Sequence, residues 1–183
     1  MRNGRVSRAA LGHASPALHC GAMESAEEGS VAYRLMKSEP DVFGIEHLAR
    51  RRSKTTPWTG VRNYQARNYM RSMTLGDRAF FYHSSCPEPG IAGIVEVVKL
   101  AYLDKTQFDP ASEYFDPKVT KAAPRWFHVD VKLVTRTRLV GLPELREHSA
   151  LADMIVLRRG NRLSITPVSE AEWRYVYSVL LDL

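Results

Sequence analysis

The chain has 183 residues and a formal net charge of +6 at pH 7, a length that fits one domain of ordinary size with its apolar surface buried in a single core. No apolar run approaches the roughly 18 to 20 residues that a membrane-spanning helix requires. Cys20 and Cys86 stand far apart, with no CxxC and no Cys/His grouping at metal spacing, which argues against structural zinc or a disulfide framework and for a reduced, cytoplasmic setting with no metal and no cofactor.

The charge is unevenly placed. Residues 1 to 30 carry Arg2, Arg5 and Arg8 against Glu24, Glu27 and Glu28 and net to zero, so the excess lies in residues 31 to 183. Its densest part is Arg50, Arg51, Arg52, Lys54, Arg62, Arg67 and Arg71, with no Asp or Glu between Arg50 and Gly76. A field of one sign favours a polyanionic partner; a solvated basic face is the plain alternative. The first 30 residues are rich in Ala, Ser, Gly and Arg without apolar periodicity, which predicts a disordered tail. Met23 offers an alternative start of translation.

The ordered domain is expected over 31–183. Val31 to Met36 reads as a strand ending in the turn Lys37-Ser38-Glu39-Pro40. Asp41 is a candidate cap for a short helix over Ile45, Leu48 and Ala49. Pro57 and Gly60 make residues 55 to 60 a loop, and Val61 to Met73 has helical spacing, with Ala66, Tyr69, Met70 and Met73 on one face and Asn63, Arg67 and Arg71 on another. Residues 79 to 84 and 91 to 100 are strands around a Pro/Gly loop. From Trp126 to Val134 the pattern alternates, with Trp126, His128, Asp130 and Lys132 on the outer side of a half-exposed antiparallel strand. Leu142 to Leu151 reads as a short helix, and Met154 to Leu157 and Leu163 to Ile165 as short strands. Ser169 with Glu172 forms a capping box before a closing helix striped by Trp173, Val176, Tyr177, Leu180 and Leu181. Short strands with inserted helices give an α+β domain around a small curved sheet or barrel.

Four polar and aromatic clusters fall at strand or loop ends, where binding residues collect. They are Lys37-Ser38-Glu39-Pro40, Trp58 with Val61 to Gln65, Tyr82-His83-Ser84, and Pro124-Arg125-Trp126. Such a set suits a nucleic-acid base, with aromatic faces for stacking and Ser, Asn or backbone groups for its edge. Trp58 follows Pro57 in a polar loop and reads as a ligand face rather than core. His83 and Ser84 are adjacent on a strand and point to opposite sides, so they do not form a nucleophile and base pair. Lys37 and Glu39 share a face if the strand runs through them, which leaves acid/base chemistry open beside a plain surface ion pair. Arg158-Arg159-Gly160-Asn161 is either a phosphate contact or a solvated turn.

The stretches YRLMKSEPDVF at 33–43, TTPWTGVRNYQARNYM at 55–70 and GDRAFFYHSSCPEPGIAGIVEVV at 76–98 resemble the EVE family, as do SEYFDPK at 112–118, PRWFHVDVK at 124–132 and LRRGNRLSITPVSEAEW at 157–173. The resemblance covers nearly all of 33–173 and implies a PUA-like fold, a curved β-barrel of mainly antiparallel strands with inserted helices, related to the YTH, ASCH and PUA domains. It further implies recognition of modified bases, cytosine derivatives in particular, by Ser38, Trp58, Asn63, Tyr82, His83 and Ser84, with Lys37, Val61, Arg62 and Trp126 around them. Arg67 and Arg71 are the candidate phosphate contacts, the expected partner being DNA or RNA. The rival reading is a small amidohydrolase acting on an acylated nucleoside through Lys37 and Glu39, and a third is a small-molecule sensor.

Overall fold

The computed structural model describes residues 31–183, which form one unit. The expected tail, Met23 and Cys20 lie outside the described residues. Six strands make one sheet: β1 (Tyr33–Ser38), β2 (Thr55–Pro57), β3 (Arg78–His83), β4 (Gly90–Leu103), β5 (Phe127–Gly141) and β6 (Ile165–Val168). Their order is β2-β5-β4-β3-β1-β6, with β1 and β3 parallel and the other pairs antiparallel.

Alternation along the central strands feeds two cores. Met36, Ala79 and Phe81 enter a first apolar cluster, while Leu35, Phe80 and Tyr82 enter a second on the opposite face. Residues 79 to 82 of β3 are all buried, which is why its sequence is a continuous apolar run rather than an alternating one. The first core is covered by α2 (Ile45–Arg50) and α3 (Tyr64–Arg71) through Ile45, Leu48, Ala66 and Met70. The second is covered by α4 (Leu142–Glu147) and α5 (Glu170–Tyr175), where Trp173 stacks on Tyr33 and Phe80 with ring centroids 4.4 and 4.1 Å apart. A four-residue helix, α1 (Pro40–Phe43), follows β1.

The sheet curls without closing. The first core takes Trp58 and Val131 from one edge of the sheet and Ile165 from the other, and α3 packs on both β5 and β6, so the two edges bend toward one centre. No pairing joins β2 to β6, so the expected barrel is an open curved sheet.

Other expectations are corrected at element ends. Residues 55 to 57 are not loop but the edge strand β2, where Pro57 costs no ladder bond. Met154 to Leu157 is no strand but carries a 3-10 turn over Ile155–Leu157. Asp41 caps nothing: it lies in the first turn of α1, and Gly44 stands at the start of α2. Trp126 and His128, expected on an exposed face, are buried, because residues 104–126 fold back over the start of β5. The Ser169–Glu172 capping box is present as read.

Candidate functional site

A cavity of about 920 Å³ opens where β1 and β3 end, within the range of small-ligand sites. Lys37, Ser38 and Ser84 line it from those strand ends, Trp58 and Val61 from the loop after β2, and Asn161 and Arg162 from the turn before β6. Ser38 Oγ donates to the Phe43 carbonyl at 2.6 Å, and the Ser84 N–H donates to the Ser38 carbonyl at 2.9 Å, so the polar floor is fixed by its own backbone. Lys37 Nζ donates to the Asn161 carbonyl at 3.4 Å, and burial lowers its pKa.

The Trp58 loop is held by a buried carboxylate. Asp104 is fully buried and accepts from the Gly60 N–H at 3.2 Å, from Arg62 Nη1 at 2.9 Å and from the Thr106 N–H at 3.0 Å. Burial pushes its pKa up, but the bonds from Thr106, Arg62 and Gly60 outweigh that and hold it below the usual carboxylate value. Arg62 also donates to the Tyr114 carbonyl at 2.8 Å and to Thr106 Oγ1 at 2.8 Å, and lies 5.6 Å from the centres of both the Tyr114 and Trp126 rings. It ties the cavity loop to residues 104–126.

The structure brings five of the expected base-binding residues to the cavity, Lys37, Ser38, Trp58, Val61 and Ser84, and sets the others elsewhere. Trp58 is only 6% exposed and packs edge-on to Phe81 at 5.2 Å, so it is core and cavity wall at once. Asn63 caps α3, its Oδ1 accepting from the Gln65 and Ala66 N–H groups at 2.9 and 3.1 Å. Tyr82 points into the second core, on the face opposite Phe81, where burial, with Cys86 adding to it, pushes its phenol up to about 12. His83 Nε2 accepts from the first N–H of α2, that of Ile45, at 3.1 Å, and burial lowers its pKa. Trp126 Nε1 donates to Asp116 at 2.8 Å inside the 104–126 clamp. Arg67 and Arg71 lie over the rings of Tyr64 and Phe127, each at 4.8 Å, and Arg67 also donates to the Arg125 carbonyl.

Sequence reasoning missed Tyr114, which lines the cavity over Gly60. The signal was Gly60 itself, which has φ +81° and whose missing Cβ would lie 2.7 Å from the Tyr114 ring. Gly60→Ala should therefore lower stability by more than about 1 kcal/mol and push Tyr114 off the cavity. Gly76→Ala is the control, because Gly76 has φ +87° but nothing within 4 Å, so it carries the strain without the clash. Thermal unfolding of both variants checks this, and an equal loss in the two would remove the steric part. Among the described residues no group of three or more His, Cys, Asp or Glu side chains could hold a metal ion, and no helix is long and apolar enough to cross a membrane.

Residues 32–179 match the EVE domain model. The chain belongs to the EVE domain family. This EVE domain is 43% identical to thymocyte nuclear protein 1 of Gallus gallus over 173 residues, covering 84% of this chain and 71% of that protein. It is 44% identical to the human protein over 163 residues, covering 79% and 72%. Among solved structures, a Pseudomonas putida protein superposes on the EVE domain with a TM-score of 0.78 at 47% identity, over 83% of this chain and all of that one. Human THYN1 protein, crystallised in complex with DNA containing 5-methylcytosine, gives a TM-score of 0.77 at 44% identity, covering 81% of this chain and 96% of that one.

Proposed function

We propose that this EVE domain is a non-catalytic reader of modified cytosine in DNA, holding one extruded base in the cavity at the ends of β1 and β3. The observation that carries the reading is a cavity with both kinds of wall, set in a fold shared with a human relative crystallised on 5-methylcytosine DNA. Trp58, Val61 and Tyr114 supply apolar and aromatic contact. Lys37 and Ser84 supply donors for the oxygen and ring nitrogen of cytosine, and Glu39 supplies an acceptor for its amine. Stacking contributes about 1 to 3 kcal/mol per base. A 5-methyl group packed on the apolar wall adds about 0.8 kcal/mol, about fourfold in Kd.

Fluorescence anisotropy with otherwise identical oligonucleotides carrying cytosine or 5-methylcytosine tests this directly. The expected result is tighter binding of the methylated strand by about fourfold. Equal affinities, or no binding of either strand, would overturn it.

A second reading draws on one specific observation. Lys37, its pKa lowered by burial, and Glu39 line the same cavity, an arrangement that amide hydrolysis of an acylated nucleoside could use. Turnover of an N4-acylated cytidine that disappears in Lys37→Ala would replace the reader with an enzyme.

A further inference from the structure

The cavity draws on both edges of the open sheet, and at each edge it meets a cluster of cations. On one side Arg50, Arg51, Arg52 and Lys54 lead into β2 and are all exposed. On the other, Arg158, Arg159 and Arg162 occupy the turn before β6 and are also exposed. Each cluster sends one member to the cavity lining: Arg51, which lies over the Phe43 ring at 5.1 Å, and Arg162. The turn that bears Arg162 is fastened to the cavity floor by the Lys37 bond to the Asn161 carbonyl.

Ion pairs among the described residues engage Arg62, His128, Arg136, Arg138 and Arg174 and leave both edge clusters without a carboxylate partner. Arg67 and Arg71, by contrast, lie outside the cavity lining, over the rings of Tyr64 and Phe127. Glu39 and Glu113 also line the cavity, so the mouth is not uniformly positive and phosphate is repelled from the parts they occupy. Positive charge at the two edges with acids in the lining is the pattern expected for a strand whose base goes in while its phosphates stay out.

Resting on the reader assignment, we infer that Arg51 and Arg162 form a two-sided phosphate clamp, one gripping the phosphate 5′ and the other the phosphate 3′ of the inserted nucleotide. The ligand class is thus an internal nucleotide of a DNA strand, not a free nucleoside. A cation that neutralises one phosphate of a single strand adds about 0.7 to the slope of log Kd against log salt.

The experiment measures affinity for a single-stranded 9-mer with a central 5-methylcytosine from low to physiological salt, beside affinity for 5-methylcytidine alone. Arg51→Ala with Arg162→Ala should flatten the slope by about 1.4, two phosphates' worth, and weaken binding of the 9-mer more than binding of the nucleoside. Arg67→Ala with Arg71→Ala should leave the slope as it is. Melting curves establish that both double variants are folded, and Arg51→Gln with Arg162→Gln serves if the alanine pair is not. Wild-type binding with a slope that the Arg51/Arg162 pair does not change overturns the clamp while sparing the reader. Failure of the wild-type protein to bind the 9-mer overturns both.

Discussion

Trp58→Ala should cost the EVE domain about 3 to 5 kcal/mol of stability, a loss expected to lower the melting midpoint of a domain this size by about 6 to 20 °C. The indole is 6% exposed and meets the Phe81 ring edge-on at 5.2 Å. It belongs to the same apolar cluster as Met36, Val61, Val129 and Val131, and its backbone N–H extends the β2 ladder by donating to the Val129 carbonyl at 2.8 Å. Truncation therefore leaves a hole that opens onto the cavity instead of merely removing a stacking surface. Binding lost in Trp58→Ala would report damage to the fold as much as loss of a base contact. Trp58→Phe, which keeps an aromatic wall, is the variant in which affinity can be interpreted. A Trp58→Ala protein that melts within about 1 °C of wild type would return the residue to the role its polar, proline-led sequence suggests, a ligand face outside the core.

That contrast shows where the sequence stops being legible. Trp58 sits among Thr55, Thr56, Pro57, Thr59 and Gly60, and nothing local says that three of those residues will pair with Asp130, Val131 and Lys132 on β5. Pairing across more than 70 positions is a tertiary fact, and it turns a loop tryptophan into a buried one. The same limit applies to Trp126 and His128. The alternation marks the strand from Phe127 onward, with Trp126 just before it, but the side it assigns to solvent is covered by a segment anchored through Gln107, whose Nε2 donates to the Trp126 carbonyl at 2.9 Å.

Features set by short-range chemistry were legible. The Ser169–Glu172 capping box forms with both of its bonds, and the Asn63 face of the third helix was visible as polar. What the spacing could not reveal is that Asn63 spends its carbonyl oxygen on the Gln65 and Ala66 N–H groups, capping the helix instead of facing the cavity. Tyr82, which the resemblance implies for the site, is sent by the strand's period of two away from Phe81 and into the second core. Geometry separates the residues that wall the cavity from those that hold the walls in place.

Arg62 belongs to the second group, and Arg62→Ala should destabilise the domain by about 3 kcal/mol, the lower end for breaking a buried ion pair because its side chain keeps 21% exposure. The cost comes from the partner left behind. Asp104, with no side-chain exposure, would retain bonds from Gly60 and Thr106 but lose its counter-charge. Its depressed pKa means that the carboxylate contributes stability above its unfolded pKa of about 3.9, a contribution lost as pH falls through the lower folded value. His128, 3.8 Å from Asp104 and lowered chiefly by burial, acts in the same direction at higher pH. Its neutral form favours the fold above about pH 6.5, and that share is lost as the pH drops toward its folded pKa. Wild type should thus weaken in two stages on acidification, and Arg62→Ala should lose much of the lower stage because the Asp104 shift shrinks. Hydrogen exchange adds a readout of place: residues 104–126 and 58–62 should exchange faster in the variant, while β3 and β4 stay protected. A variant within about 1 kcal/mol of wild type, with an unchanged acid limb, would mean that Asp104 is satisfied without its arginine and that the cavity loop is held by packing alone.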